Sequence, residues 1–323
     1  MVYSSLLDLS RVVLGNLRVQ NVWQMLSSCI GFSLLMLLCF APPEASLAQT
    51  IGHYPPGVEG IKNGIIPPPG HYTRWYNFYY YADKLATATG ADVNTNFRVF
   101  AYVTALRHIW ITENKVLGAD LGLDLTIPFV LTDLNLGPIE DRRFGLGDIF
   151  LEPVILGWHL SRWDFAFAYG IFFPSGDFKL TRPASPGRGF WTHLLAFGIT
   201  YHLDAEKTWT FSTAQRFEFH TENKKLNLTP GIHYSLEWSL SKALKNNIEV
   251  GLTGFVQRQL TDDTGRGVVS DPNIHDQIFG VGPEVGVFFP GVKMHVGARI
   301  LGEFGGKDRP QGLNSWLALT RFW

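Results

Sequence analysis

Charged side chains recur at alternate positions along several segments of this chain, a spacing that can build an ion-pair network or a charged lining. Between Thr208 and Ser241, one alternate set is aromatic or aliphatic and the other is polar or charged. Successive side chains of a β-strand point to opposite faces, so this segment predicts a hairpin with one apolar and one polar face. The same reasoning along the chain places these side chains on a shared polar face: Arg98, Asp120, Asp124, Asp148, Glu152, Arg216, Glu218, Glu237, Glu249, Glu284, Lys293, Arg299 and Glu303.

Histidine and serine side chains on the polar face raise the question of catalysis or metal binding. Glu218 lies two residues before His220, and His233 lies two residues before Ser235. Residues at this spacing share a strand face without the hydrogen-bonded relay of a catalytic triad, and the chain has no G-x-S-x-G elbow. The histidines come from separate strands and lack metal-ligand spacing. We therefore expect no catalytic residue, metal or cofactor, with a membrane-embedded hydrolase as the alternative.

Strand-like segments carry this polar face from residue 72 to the C terminus, without a convincing helix. The candidates are 72–83, 95–112, 118–132, 145–160, 163–173, 190–203, 207–220, 228–241, 247–261, 276–289, 292–304 and 313–323. The strand at 145–160 alternates poorly, and a bulge near Pro153 would account for this.

The connections between these segments alternate in length. Short connections are expected near 113–115, 161–162, 204–206, 242–246 and 290–291, and long ones at 84–94, 133–144, 174–189, 221–227, 262–275 and 305–312. Short turns at one end and long loops at the other are typical of outer-membrane barrels, whereas a Greek-key sandwich has no such requirement.

Tryptophan positions agree with a membrane barrel. The strand ends beside the short turns carry Trp110, Trp158, Trp163, Trp209 and Trp238, and Trp323 ends the last strand. Tryptophan prefers the membrane–water interface, so a belt of these rings is expected at one rim. We predict an all-β fold, a transmembrane up-and-down antiparallel barrel of about twelve strands with both termini periplasmic.

The N-terminal residues predict a secretory signal peptide and then a short arm. Arg11 and Arg18 precede an apolar stretch, and Ser46-Leu47-Ala48 has the small residues of a cleavage site. A retained membrane anchor is the alternative. We expect a signal peptide at 1–48, a Gly- and Pro-rich arm at 49–71 that hangs free or plugs the barrel, and the barrel at 72–323.

Composition supports a membrane location and argues against nucleic acid as a partner. Charged residues make up 17% of the chain, below the roughly 25% of soluble domains. The formal net charge is −1, and no long basic run offers a surface for nucleic acid.

A Tyr-rich first strand from Tyr72 to Tyr81 follows the Gly/Pro arm, and Gly145-Leu146-Gly147-Asp148 opens the fourth strand. The combination resembles the outer-membrane family named for the meta-pathway of phenol degradation. The resemblance implies a porin-like barrel that passes aromatic or other hydrophobic small molecules, and no catalytic motif. Gly145, Gly147 and Asp148 match the family as a structural signature.

We therefore expect a monomer-capable channel of the bacterial outer membrane for the passive passage of small molecules. Its partners would be outer-membrane lipid, a small-molecule solute and, through the strand ending at Trp323, the barrel-assembly machinery. Loops 174–189 and 262–275 would form the mouth. Hydrophobic cargo follows from the resemblance alone, since a mixed-charge lining suits polar solutes better. A structural barrel without transport is a further alternative.

Overall fold

A single antiparallel sheet forms nearly all the regular structure of the computed structural model, which describes residues 52–93, 96–268 and 271–323. Its strands are β1 (Gly70–Ala86), β2 (Phe97–Val116), β3 (Ala119–Leu136), β4 (Ile139–Leu146), β5 (Phe150–His159), β6 (Trp163–Phe172), β7 (Thr192–His202), β8 (Trp209–His220), β9 (His233–Ala243), β10 (Ile248–Gln259), β11 (Gln277–Phe289), β12 (Met294–Lys307) and β13 (Arg309–Phe322). Within the described ranges, the one helix is a 3₁₀ turn at Pro290–Val292. None of the described helical structure has the length and apolarity needed to cross a bilayer.

The sheet closes on itself because β1 pairs with both β2 and β13. β3 pairs with β4 along 129–136 and with β5 along 120–126, so β4 and β5 share one place in the wall. The thirteen strands thus occupy twelve positions of an up-and-down antiparallel barrel. The predicted fold class is confirmed.

Two predicted long loops are in fact parts of strands. Residues 133–144 belong to β3 and β4, which turn at Gly137 with a φ of 59°. Residues 305–312 belong to β12 and β13, which turn at Asp308 with a φ of 49°. The polar and charged side chains at 133–144 do not prevent strand pairing, because a strand that extends beyond the membrane needs no apolar face.

Several strand bounds also differ from the prediction. β2 and β3 turn at Leu117–Gly118 rather than near 113–115, and β9 begins at His233 rather than at 228. The predicted strand 145–160 is interrupted between β4 and β5. Its pairing with β6 shifts register between Leu151 and Val154, which confirms the bulge expected near Pro153.

The outer surface of the barrel is apolar, and several of its exposed tryptophans lie where the turns are short. Exposed side chains on the strands include Trp75, Phe211, Leu252 and Val285. At the short-turn end, the exposed rings are Trp110, Trp163, Trp209 and Trp323. In β13, Leu317 is exposed whereas Trp316 and Ala318 are buried, so the apolar leucine faces outward in this strand. An apolar band with aromatic rings at its edge is the surface of a membrane barrel.

Residues 52–69, which we call the arm, lie inside the barrel. His53 contacts Asp148 near the long-loop end, and Ile66 packs over Gly157 near the short-turn end, where Pro68 accepts a hydrogen bond from Tyr72. The predicted signal peptide at 1–48 lies outside the described residues. That both termini are periplasmic stays a prediction.

Candidate functional site: the barrel lumen

Glu59 of the arm lies at the centre of a cluster of arginines from the barrel wall. Its carboxylate is 3.0 Å from Arg74 Nη1, 2.8 Å from Arg107 Nη1 and 3.7 Å from Arg216 Nη2. The three arginines project inward from β1, β2 and β8. A buried carboxylate needs such partners because removing its hydration is costly. The cluster therefore fixes the middle of the arm to both sides of the lumen.

Arg107 extends this cluster into the wall opposite the arm. Its Nε donates to Asp124 Oδ2 at 2.8 Å, and its Nη2 donates to Glu152 Oε2 at 2.7 Å. Asp124 lies on β3 and Glu152 on β5, next to each other in the register. The charges that the sequence places on a polar face are thus joined into one network that includes the arm.

The backbone of the arm also depends on side chains of the wall. Glu237 accepts hydrogen bonds from the amides of Gly57 and Glu59, at 3.2 and 3.0 Å. Arg299 Nε donates to the carbonyl of Gly57 at 2.7 Å, and Gln257 Nε2 donates to that of Tyr54 at 2.9 Å. An irregular segment within a barrel has no strand ladder to satisfy its amides and carbonyls. The polar wall of β8–β12 takes over that role.

Residues 64–66 of the arm pack closely against the wall, and glycines occupy the points of closest contact. A Cβ on Gly64 would lie 2.7 Å from Thr213 O and 2.8 Å from Ile199 N. A Cβ on Gly157 would lie 2.1 Å from Ile66 Cγ1. Just before these residues in the chain, Lys62 Nζ pairs with Glu249 at 2.8 Å. Interior glycines here make room for the arm as well as for the lumen.

An apolar cavity of about 620 Å³ lies beside the arm. Its wall on β1–β3, β5–β7 and β13 carries mainly aromatic and aliphatic side chains. They include Tyr76, Phe78, Tyr80, Val103, Phe150, Phe172, Leu194 and Trp316. Phe78 stacks on Trp316 with ring centroids 4.3 Å apart, and Phe150 on Phe172 at 4.2 Å. Charged side chains also border the cavity, among them Arg107, Glu152, Arg182, Glu303 and Arg309.

The connection from β6 to β7 covers the long-loop end of the cavity. Phe178, Leu180 and Pro183 from this connection line the space. Asp148 holds the connection in place by accepting hydrogen bonds from the backbone amides of Gly176 and Arg188, at 2.9 and 2.8 Å. The expected mouth loop 174–189 thus borders the cavity. In the described part of 262–275, no residue lines it.

A family model described as "Putative MetA-pathway of phenol degradation" matches residues 82–319. The chain belongs to this family. The match spans most of the barrel, from the end of β1 into β13, and begins after the arm. No curated protein sequence matches the chain.

One solved structure supports the same fold. The chain is similar to an outer membrane channel from Pseudomonas putida F1, with a TM-score of 0.72, 13% identity, and coverage of 84% of this chain and 100% of that one. It also matches the translocator domain of the autotransporter NalP from Neisseria meningitidis, with a TM-score of 0.47, 10% identity, and coverage of 80% and 90%. The phenol-degradation family member described here has the fold of an outer-membrane barrel, and its apolar outer surface locates it in the bacterial outer membrane.

Most of the charged residues expected on the polar face lie on the inner side of the wall. Those that are buried are Asp120, Asp124, Asp148, Glu152, Arg216, Glu218, Glu237, Glu284 and Arg299, while Glu249 and Glu303 are half-buried. Asp120 lies apart from the arm, at the short-turn end, where it pairs with Lys115 and His159.

Two residues expected on the polar face do not lie there. Val99, Ala101 and Val103 of β2 line the cavity, so these alternate positions face inward. Arg98 therefore lies on the outer side of β2 and is exposed. Lys293 is exposed in the turn before β12, where its φ of 47° takes it out of the strand alternation. Both predictions of lumen lining are therefore wrong.

The sequence reasoning did not identify the arm's own polar residues or the aromatic wall. His53 and Glu59 lie in a segment with no periodic pattern, so nothing in the sequence indicated their partners. A signal for the aromatic wall did exist, because Tyr76, Phe78 and Tyr80 share one alternate set in the first strand.

Proposed function

We propose that the protein is a passive outer-membrane channel for small apolar molecules of the aromatic class, with the arm as its plug. The observation that carries this proposal is the aromatic-lined cavity of about 620 Å³ inside the barrel. Pockets of about 300–1,000 Å³ with mainly apolar linings are typical of small-molecule sites. The outer membrane channel from Pseudomonas putida F1, which shares the fold, is consistent with transport.

The division of the lumen favours an apolar over a polar solute. The charged residues of the wall are engaged by one another and by the arm, as Glu59 is by Arg107. The open space faces Phe78, Trp316 and their aromatic neighbours, and charged residues that border it, such as Arg107 and Glu152, are paired with each other. Aromatic rings favour other rings in stacked or edge-to-face contact, which a benzene-type solute provides.

The arm would block ions and polar solutes for two physical reasons. It fills the lumen along the charged wall, and it uses the hydrogen-bonding groups that water or ions would otherwise contact. A buried backbone group left without its hydrogen bond costs about 1–3 kcal/mol, so the arm is held in place unless its partners move with it. Passage of a solute then requires a shift of the arm or an exit on the apolar side.

We propose no enzymatic role. His220 forms a hydrogen bond with Thr192 Oγ1, and Glu218 accepts hydrogen bonds from the amides of His53 and Tyr54. Assembly of the barrel would use the terminal strand ending at Trp323, which is exposed at the rim.

Two measurements on the protein refolded in detergent test the proposal. The first is saturable binding of naphthalene, compared with a sugar of similar size. The second is conductance in a planar bilayer, with and without residues 52–66. We expect naphthalene to bind and the sugar not to bind. We also expect no steady conductance from the full chain, and steady steps from the shortened one.

Each part of the proposal can fail separately. Steady conductance of the full chain would show a water-filled pore and would exclude the proposed role of the arm as a plug. Absence of saturable naphthalene binding would exclude an apolar solute and favour a structural barrel without transport. If the shortened chain does not fold, Glu59→Gln, which releases the arm without deleting it, replaces it in the conductance measurement.

A further inference from the structure

Three side chains converge near the long-loop end of the lumen, where the arm begins. His53 belongs to the arm, while Glu218 and His220 project inward from β8. One nitrogen or oxygen from each lies within 4.8 Å of the others. Glu218 and His220 share a strand face, and the fold of the arm brings His53 to them across a sequence separation of 165 residues from Glu218.

The two imidazoles point at the same place. Thr192 Oγ1 on β7 is 2.7 Å from His53 Nδ1 and 2.7 Å from His220 Nδ1. A hydroxyl can donate to one of these nitrogens and accept from the other, so Thr192 bridges the two rings. Two ring nitrogens directed at one point, with an oxygen beside them, are an arrangement that suits a cation once the hydroxyl rotates aside.

The ring of His53 is held from behind by a carboxylate. Its Nε2 is 2.9 Å from Asp148 Oδ2. Asp148 is itself fixed by the backbone amides of Gly176 and Arg188. Histidines that bind metals usually bond their second nitrogen to a carboxylate or carbonyl, which sets the tautomer and directs the free nitrogen to the ion.

One ligand atom of the cluster has no hydrogen-bond partner. Glu218 is only 1% exposed, and its Oε1 accepts from the amides of His53 and Tyr54 at 2.7 and 2.9 Å. Its Oε2 is buried without a partner. On β9, His233 is fully buried, and its Nε2 likewise lacks a hydrogen bond, although Asp276 lies 3.7 Å away. Buried polar atoms are rarely left unsatisfied, and the capacity to bind an ion is one of the usual reasons for an exception.

We propose that His53, Glu218 and His220 form a binding site for a divalent transition metal of the zinc class. Two imidazole nitrogens and one carboxylate oxygen suit zinc, whereas magnesium and calcium prefer oxygen ligands alone. Glu218 and Asp148 supply negative charge, and the guanidinium of Arg188 acts on the same groups with opposite sign. The fourth position would be taken by Thr192 Oγ1 or by water.

The ion would join the arm to the barrel wall, because one ligand comes from the arm and two come from β8. This inference concerns binding and does not depend on the solute or on the arm being a plug. A metal titration measures it directly, whatever conductance shows.

The test is calorimetric titration of zinc chloride into the full chain, refolded without a polyhistidine tag, with magnesium chloride as the hard-cation control. We expect one zinc per barrel and no measurable magnesium binding. His53→Gln and Glu218→Gln should each weaken zinc binding at least tenfold. The matched control is His108→Gln, since His108 is exposed on β2 and bonds to Thr73.

A second readout separates a metal site from a hydrogen-bond network. Cobalt(II) in place of zinc should give the visible absorption of a four-coordinate site in the wild type and lose it in His53→Gln. Zinc should raise the melting temperature of the wild type but not of that variant. Equal zinc affinity in all variants, or no binding by the wild type, would overturn the proposal and leave the cluster as a hydrogen-bond network alone.

Discussion

Both sides of the lumen are built from antiparallel strands, but one side mainly contacts the arm and the other mainly lines the cavity. The inner wall of β8–β12 carries Arg216, Glu237, Glu284 and Arg299, and their polar atoms contact the arm's backbone and Glu59. The opposite wall, in its long-loop half, carries rings such as Phe78 and leaves space in front of them. This difference shows that polar residues inside a barrel need not line a water-filled pore, because a segment of the same chain can provide their hydrogen-bond and ion-pair partners.

The largest expected effect comes from removing the charge at the centre of the polar side. Glu59→Gln leaves Arg74, Arg107 and Arg216 without their shared carboxylate, and loss of one partner of a buried ion pair costs about 3–5 kcal/mol. The arm should leave the wall, and trypsin should cleave after Lys62 at least a hundredfold faster, since about 1.4 kcal/mol corresponds to tenfold. Mass spectrometry of the fragments measures this rate.

Glu222→Gln is the matched control for this change, because Glu222 is exposed in the connection from β8 to β9. It should leave cleavage after Lys62 unchanged. Equal protection of the arm in Glu59→Gln and the control would mean that the polar side does not hold the arm through its charges.

A charge on the outer face tests whether both sides of the lumen share a lipid-facing exterior. Leu252 is 46% exposed near the middle of β10, and a lysine there should destabilise the barrel by about 2–4 kcal/mol, the cost of a cation at the bilayer midplane. Reversible unfolding in lipid vesicles measures the change. Leu244→Lys, in the turn after β9, is the control and should have little effect. Comparable stability of both variants would contradict the assignment of the outer face.

A smaller effect is expected from a methyl group where the arm packs against the backbone of β7 and β8. Gly64→Ala would bring a Cβ within 2.7 Å of Thr213 O, and such overpacking costs about 1–3 kcal/mol. The sequence after residue 48 contains no cysteine, so a cysteine introduced at Asn63 reports arm exposure through its rate of maleimide labelling. We expect labelling to be faster in Gly64→Ala.

Gly291→Ala in the same cysteine background is the control, because a Cβ there has no atom within 4 Å. An equal labelling rate in the two variants would show that the close contact at Gly64 does not limit the position of the arm.

The smallest effect concerns the apolar side. Phe78→Leu keeps an apolar side chain but removes the ring that stacks on Trp316, and aromatic pairs contribute about 0.5–1.5 kcal/mol beyond buried area. Naphthalene binding should weaken by a few-fold to about tenfold. Tyr79→Leu, the next residue and outward-facing, should leave binding unchanged. Equal binding by both variants would argue that the solute does not contact this wall.

The alternation of side chains was enough to predict the barrel and most of its inner and outer faces. It failed at Lys293, where a left-handed residue breaks the alternation, and at Arg98, which lies on the outer side of its strand. It also failed at 133–144, since strands beyond the membrane do not carry the apolar face on which the reasoning relied. At Lys293 and at 133–144 the period of two no longer reports the environment, whereas at Arg98 the alternation continues and the face was assigned wrongly.

The contents of the lumen could not be obtained in this way. Glu59 and His53 lie in a Gly- and Pro-rich segment whose conformation is fixed by partners far away in the sequence, such as Arg107 and Glu218. A periodic pattern reports only which face a residue takes, because that depends on local backbone geometry.

The sequence by itself determined a closed up-and-down barrel with an apolar exterior and a polar inner face, because both follow from strand periodicity and the preference of apolar groups for lipid. Only the tertiary structure decided that the arm occupies the polar side, that the apolar side keeps a cavity, and that His53 meets His220. Those outcomes depend on long-range pairing of buried charges and on the space left between packed side chains, neither of which is encoded in a local pattern.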